Sequence, residues 1–172
     1  MKTASIFYRT RQFWLALRNQ PPPPDDLALA RELLTPSQMA LFTQMQPSEQ
    51  THSLNVLKTL RIWGKTHPDL LVAALLHDVG KIRYPLRLWE RVIVVLAKAF
   101  FPGLITAWGS GSPHGWKRPF VVAHQHPHWG AAYALDVGCT DAAVSLIRRH
   151  QSDSPPDETN SLSLLQKADN KK

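Results

Sequence analysis

Apolar residues recur at three- and four-residue intervals along almost the whole chain, and strict alternation is scarce. The pattern predicts an all-α protein. Residues 4–18 read as a basic amphipathic segment, closed by "QPPPPDD" at 20–26, a stiff extended linker. A helix over 27–34 follows, and Thr35-Pro36 opens the next, with Thr as cap and Pro at the first helical position. Pro47-Ser48 starts a helix that runs to about Gly64, and "THPDLLVAALLHDVGK" supplies another that ends near Gly80. Residues 86–108 read as helical with a break at Pro102-Gly103, and 109–119 as a loop. Pro127 is expected to open a helix to Val137, and Thr140-Asp141 one to Gln151. "SDSPPDE" reads as a loop, and 160–170 as the last helix. The boundaries divide the chain into 1–26, a segment with its linker, and 27–172, one helical bundle.

Length and charge narrow the picture. With 172 residues, 44% apolar and 19% charged, one domain with a sizeable core is expected. Lys and Arg number 20 against 13 acids, a formal charge of +7 that favours anionic partners: phosphates, nucleotides, nucleic acid or a lipid surface. A basic solubilising surface explains the same balance, and nucleic acid is not the expected partner. A single cysteine, Cys139, excludes an intrachain disulfide and a cysteine-based zinc site, which fits a reducing cytoplasm. Arg9, Arg11 and Arg18 interrupt the N-terminal apolar residues, unlike a secretory signal. "RVIVVLAKAFFPGLITAW" is too short and too broken for a membrane span.

Four helices then place ligand-type side chains on the face that should meet the core. His52 lies in one row with Val56 and Leu60. His77 follows Leu70 with Ala73 or Ala74, His150 follows Ala143, Leu146 and Ile147, and Asp169 follows Leu162 and Leu165. An unpaired buried carboxylate costs several kcal/mol, so it must find a partner or lose its charge. Four inward ligands share a partner most economically in a metal such as Fe, Mn, Zn or Ni. In "AALLHDVGK", His77 and Asp78 point about 100° apart, so one can bind an ion terminally while the other reaches across toward a second. Lys81 stands on their side, either meeting the anionic end of a ligand or complementing the helix dipole. In "AHQHPHWG", His126 precedes Pro127 and is expected to be extended, at the cap of the next helix. His124 and His128 read as supports for the ligands or, as the preferred reading, as exposed. Arg148 and Arg149 read as surface charges or as weaker contacts for an anion. Trp89, Trp108 and Trp116 suit a lipid contact or, as the preferred reading, a small second core or a dimer contact.

The order of these residues resembles the HD-domain superfamily of metal-dependent phosphohydrolases. The likeness rests on "QTHSLNVL", "LLHDVGK" and "LLQKADN", and covers roughly residues 48–170. "HPHWGAAYA" and "LIRRHQ" are similar to the further histidine segments of the branches that bind two metals. The resemblance implies an HD-domain bundle with divalent transition metals, two of them, Fe or Mn for instance. His52, His77, Asp78 and Asp169 would hold one ion, Asp78 would bridge, and His126 and His150 would complete the second. Asp78 and Lys81 are the catalytic candidates. Gln151 follows His150 and no Gly-Tyr-Pro run is present, which departs from the cyclic-dinucleotide branch. The layout also resembles diadenosine tetraphosphate hydrolases and the di-iron oxygenases related to myo-inositol oxygenase. Residues 86–120 match none of these patterns and read as insert-like. The resulting expectation is a hydrolase of a small phosphorylated substrate, with oxygenase chemistry and a metal-holding adaptor as rivals. Peripheral membrane contact and a homodimer stay open as partners.

Overall fold

In the computed structural model the described residues are 20–101, 103, 107–152 and 160–171. The basic segment at 4–18, Pro102 and residues 153–158 of "SDSPPDE" lie outside them. The described residues form eight α-helices and no strand: α1 (Pro24–Leu33), α2 (Pro36–Phe42), α3 (Pro47–Ile62), α4 (Pro68–Leu76), α5 (Leu88–Phe100), α6 (Arg118–Asp136), α7 (Asp141–Arg149) and α8 (Ser161–Asp169). Two 3₁₀ turns, Val79–Arg83 and Gly115–Lys117, stand between them. The all-α expectation holds.

Proline punctuates the first half. Helices α1 to α4 each carry it in the first turn, where the missing N–H has no intrahelical partner to lose. Thr35 and Gln38 form a reciprocal capping box, and the Thr140 hydroxyl accepts from the Ala143 N–H. Helix α1 starts at Pro24, three residues before the sequence pattern suggests. Asp25 and Asp26 favour the positive N-terminal end of its dipole, and Lys58 lies 2.6 Å from Asp26.

Helix α4 is the centre of the bundle. Apart from Val72, every residue from Leu70 to Leu76 is buried, as expected of a helix that is apolar all round. It packs against α3, α7 and α8. Leu54, Leu57, Leu60, Leu75, Leu76, Ile147 and Leu165 fill the main core with no water-accessible surface. A second, smaller core joins Val94 and Ala97 of α5 to Phe120 and Ala123 of α6, with Trp108 packed on it. The expected small core is therefore present, but of the three tryptophans only Trp108 enters it; Trp89 and Trp116 stay exposed.

Two expectations fail, and both failures shape the site. The α4 helix stops at Leu76 rather than near Gly80. His77 caps it, and Val79–Arg83 tightens into the 3₁₀ turn. Pro127 does not open a helix. Helix α6 begins nine residues earlier, inside what reads as a loop, and runs through Pro127 without ending. Proline there costs the bond to the Ala123 carbonyl. Burial on both sides outweighs that cost, since Pro119 to Ala123 precede it and Gly130, Ala131 and Ala134 follow it in the interior. The 3₁₀ turn lies against this stretch at backbone contact. A Cβ placed on Gly80 would stand 2.0 Å from the His126 oxygen and 2.6 Å from the Gly130 nitrogen.

Candidate metal centre

Three of the histidines are built alike. His77 Nδ1 donates to the Ala74 carbonyl at 3.0 Å, His126 Nδ1 to Val122 at 3.0 Å, and His150 Nδ1 to Ile147 at 2.8 Å. Each acceptor lies one turn back on the same helix. Each bond fixes the tautomer, so each Nε2 offers a lone pair toward the middle of the bundle. All three rings are buried. His126 is therefore a helix-interior residue, and its direction comes from this bond rather than from an extended cap.

The six candidate ligands converge. His52 Nε2 lies 2.7 Å from Asp169 Oδ1, and His77 Nε2 lies 3.5 Å from the same oxygen. His77 Nε2 is 3.6 Å from Asp78 Oδ2. On the other side of Asp78, His126 Nε2 is 3.2 Å from Oδ1 and His150 Nε2 is 3.9 Å. Their donor atoms form two groups: His52 with His77 and Asp78, and Asp78 with His126 and His150. Asp78 belongs to both. His52 is the rim of the cluster, with 39% of its side chain exposed, and Asp169 is half-buried beside it.

Electrostatics shows what the cluster lacks. His77 Nε2 is buried without a hydrogen-bond partner. His126 Nε2 and His150 Nε2 face each other at 3.3 Å, both as lone pairs once their Nδ1 atoms donate. Two facing acceptors repel unless a proton or a cation lies between them. Burial alone would push the His77 ring down, but the charges of Asp78 and Asp169 hold it up to about 9. His150 is the reverse case: burial, then the charges of His77 and His126, push it down to about 3. Burial likewise lowers His126. Burial would raise both carboxyls. Lys81 and His77 instead hold Asp78 well below the usual range, and His52 and His77 do the same for Asp169. The centre therefore combines two ionised carboxylates, neutral imidazoles and an imidazole that attracts positive charge. This hard-and-borderline donor set fits a divalent transition metal.

Lys81 is not a helix-terminal cation, because the helix ends before it. The 3₁₀ turn folds its Nζ back to 2.7 Å from Asp78 Oδ2 and 3.1 Å from Glu49 Oε2. Burial would lower its pKa, but these two carboxylates raise it above the ordinary lysine value. Glu49 is a residue that the motif pattern passes over. It is buried one turn before His52, and it also meets Arg91 of α5 at 2.8 Å. Its signal was an acid on the row of a ligand.

Above the cluster opens a cavity of about 340 Å³. His52, Asp78, His126 and Asp169 form its floor, Leu86, Val94, Val95 and Ala123 line it, and Lys81, Arg91 and Lys98 bring positive charge. Arg91 and Lys98 stand two turns apart in an otherwise apolar run, which puts them on one face of α5. That spacing was their signal. Arg148 and Arg149 are exposed, as are His124 and His128.

A family model described as the HD domain matches residues 50–171. Neither curated proteins nor solved structures give a match. The chain belongs to the HD-domain family.

Proposed function

We propose that this HD-domain protein is a metal-dependent phosphohydrolase acting on a phosphate ester or anhydride of a small anionic substrate, such as a nucleotide. His52, His77, Asp78 and Asp169 would hold one divalent ion, and Asp78, His126 and His150 a second. Bound there, such ions supply a water acidified toward neutral pH and positive charge for phosphoryl oxygens. The single observation that carries the reading is the position of Asp78, shared by two histidine groups at the floor of a cation-lined cavity.

The remaining steps belong to the chain's own side chains. The three Nδ1–H bonds orient the imidazoles before any ligand arrives, so little reorganisation accompanies binding. Lys81 sits beside Asp78 and places its charge where a phosphoryl group would rest. Arg91 and Lys98 extend that positive surface along α5 and favour a substrate with more than one negative charge. The exposed rim at His52 and Asp169 leaves a way in.

The test is metal analysis of protein purified without added metal, then a screen of phosphate esters and nucleotides with Mn or Fe. Phosphate release that Asp78→Ala abolishes supports the reading. A loaded protein that releases none, yet consumes oxygen with reduced iron, overturns it in favour of an oxygenase.

A further inference from the structure

Helix α5 is amphipathic the wrong way round for a solvent-facing helix. Its three charged residues point toward the protein or the cavity. Glu90 is buried against Arg118, Arg91 meets Glu49, and Lys98 lines the cavity. The outward arc carries Trp89, Ile93, Leu96 and Phe100 at spacings of four, three and four, one continuous face. They are 54%, 39%, 50% and 72% exposed, and Val95, Phe101 and Trp116 extend the patch. Scattered apolar residues need no explanation, but a continuous aromatic and aliphatic stripe does.

We propose that this arc docks the protein on an anionic bilayer surface, with α5 lying in the interface. Two observations choose lipid over the alternatives. Trp and Phe beside Leu, Ile and Val make the apolar half of an interfacial helix. Basic residues supply the other half. Between 86 and 120 there are five Lys and Arg against one acid, Glu90; Arg118 pairs that acid and Arg91 pairs Glu49, which leaves Arg87, Lys98 and Lys117. Arg87 and Lys117 are exposed, and the Lys117 ammonium lies 5.6 Å from the Trp116 ring at the edge of the patch, while Lys98 faces the cavity. The helix is too short to span a membrane, and none of the described helices is long and apolar enough to cross one. Val95 belongs both to the patch and to the cavity lining, so docking sets the rim of the cavity at the level of the lipid headgroups.

Sedimentation of the full chain with phosphatidylcholine vesicles, with and without roughly a third phosphatidylglycerol, tests the proposal independently of any activity. Binding is expected to the anionic vesicles and to fall at high salt. Leu96→Glu with Phe100→Glu should weaken it at least tenfold while the melting temperature stays at the wild-type value. The gentler Phe100→Ser provides the same comparison should the double variant melt early. Three results would overturn the proposal: no anionic-vesicle binding, binding that survives these substitutions, or a wild-type dimer in light scattering that they convert to a monomer.

Discussion

Gly80→Ala tests whether the centre depends on backbone contact between the 3₁₀ turn and α6. Gly80 does not adopt a left-handed φ, so alanine is locally permissible and only space opposes it. The added carbon would meet the His126 oxygen at 2.0 Å and the His126 carbonyl carbon at 2.8 Å. Carbon–oxygen contacts settle at about 3.3–3.6 Å, so the turn and α6 must part by roughly 1.3 Å. Backbone lies on both sides, and no flexible side chain can yield. Overpacking costs about 1–3 kcal/mol, and a rigid clash belongs at the upper end. For a chain of this size about 3 kcal/mol lowers Tm by roughly 6–12 °C. Asp78 and His126 face each other across this junction at 3.2 Å, and ligand distances tolerate only about ±0.2 Å. The assay has two parts: thermal unfolding by circular dichroism with chelator present, then metal titration of the same samples. Gly80→Ala should melt early without metal and should lose the ion assigned to His126 and His150. A variant with unchanged Tm and metal content would refute the reasoning.

Other substitutions separate the remaining roles. Asp78→Ala should abolish metal-dependent turnover while helix content stays near wild type, read by activity and circular dichroism. Lys81→Met keeps the stem and removes the charge, so metal content should hold while kcat and kcat/KM fall together by roughly 30- to 1,000-fold. Glu90 provides a pH test. Burial would raise its pKa, but the hydrogen bond from Arg118 and the Arg87 N–H lower it. A lowered folded-state pKa gives stability that is present above the ordinary value of 4.5 and lost as pH falls through the folded value. Glu90→Gln should therefore melt lower than wild type at neutral pH, and the gap should narrow below about pH 4 in paired melts.

The helical rows of His52, His77, His150 and Asp169 were legible because a period of 3.6 residues ties each to apolar neighbours that are buried. Position 126 was recognisable as a site residue but not in its conformation. The local rule for a residue before proline carries no knowledge of the turn and of α7, whose packing holds α6 together through Pro127. The end of α4 escaped for a related reason: nothing in "HDVGK" marks a change from α to 3₁₀. Glu49 and Arg91 lay outside the motifs because their significance is pairwise. An acid on α3 and a cation on α5, 42 positions apart in the numbering of Glu49 and Arg91, become partners only when the second core draws α5 over the cluster. The outward apolar arc of α5 was visible as composition but not as direction.

The contact between His52 and Asp169 joins α3 to α8 across 117 positions of sequence. A permanent cross-link of that span would narrow the unfolded ensemble by about 4–5 kcal/mol in the chain-entropy account. An ion held by the same pair would be its reversible counterpart, acting only while bound. Biosynthetic order adds a temporal consequence. On the ribosome His52 emerges long before Asp169, so a chain halted before Asp169 emerges has five candidate ligands on four segments but no partner to close the first pair. Were an ion bound there, emergence of α8 and closure of the first pair would coincide, and a chelator applied to nascent chains should leave α8 the first helix open to a protease.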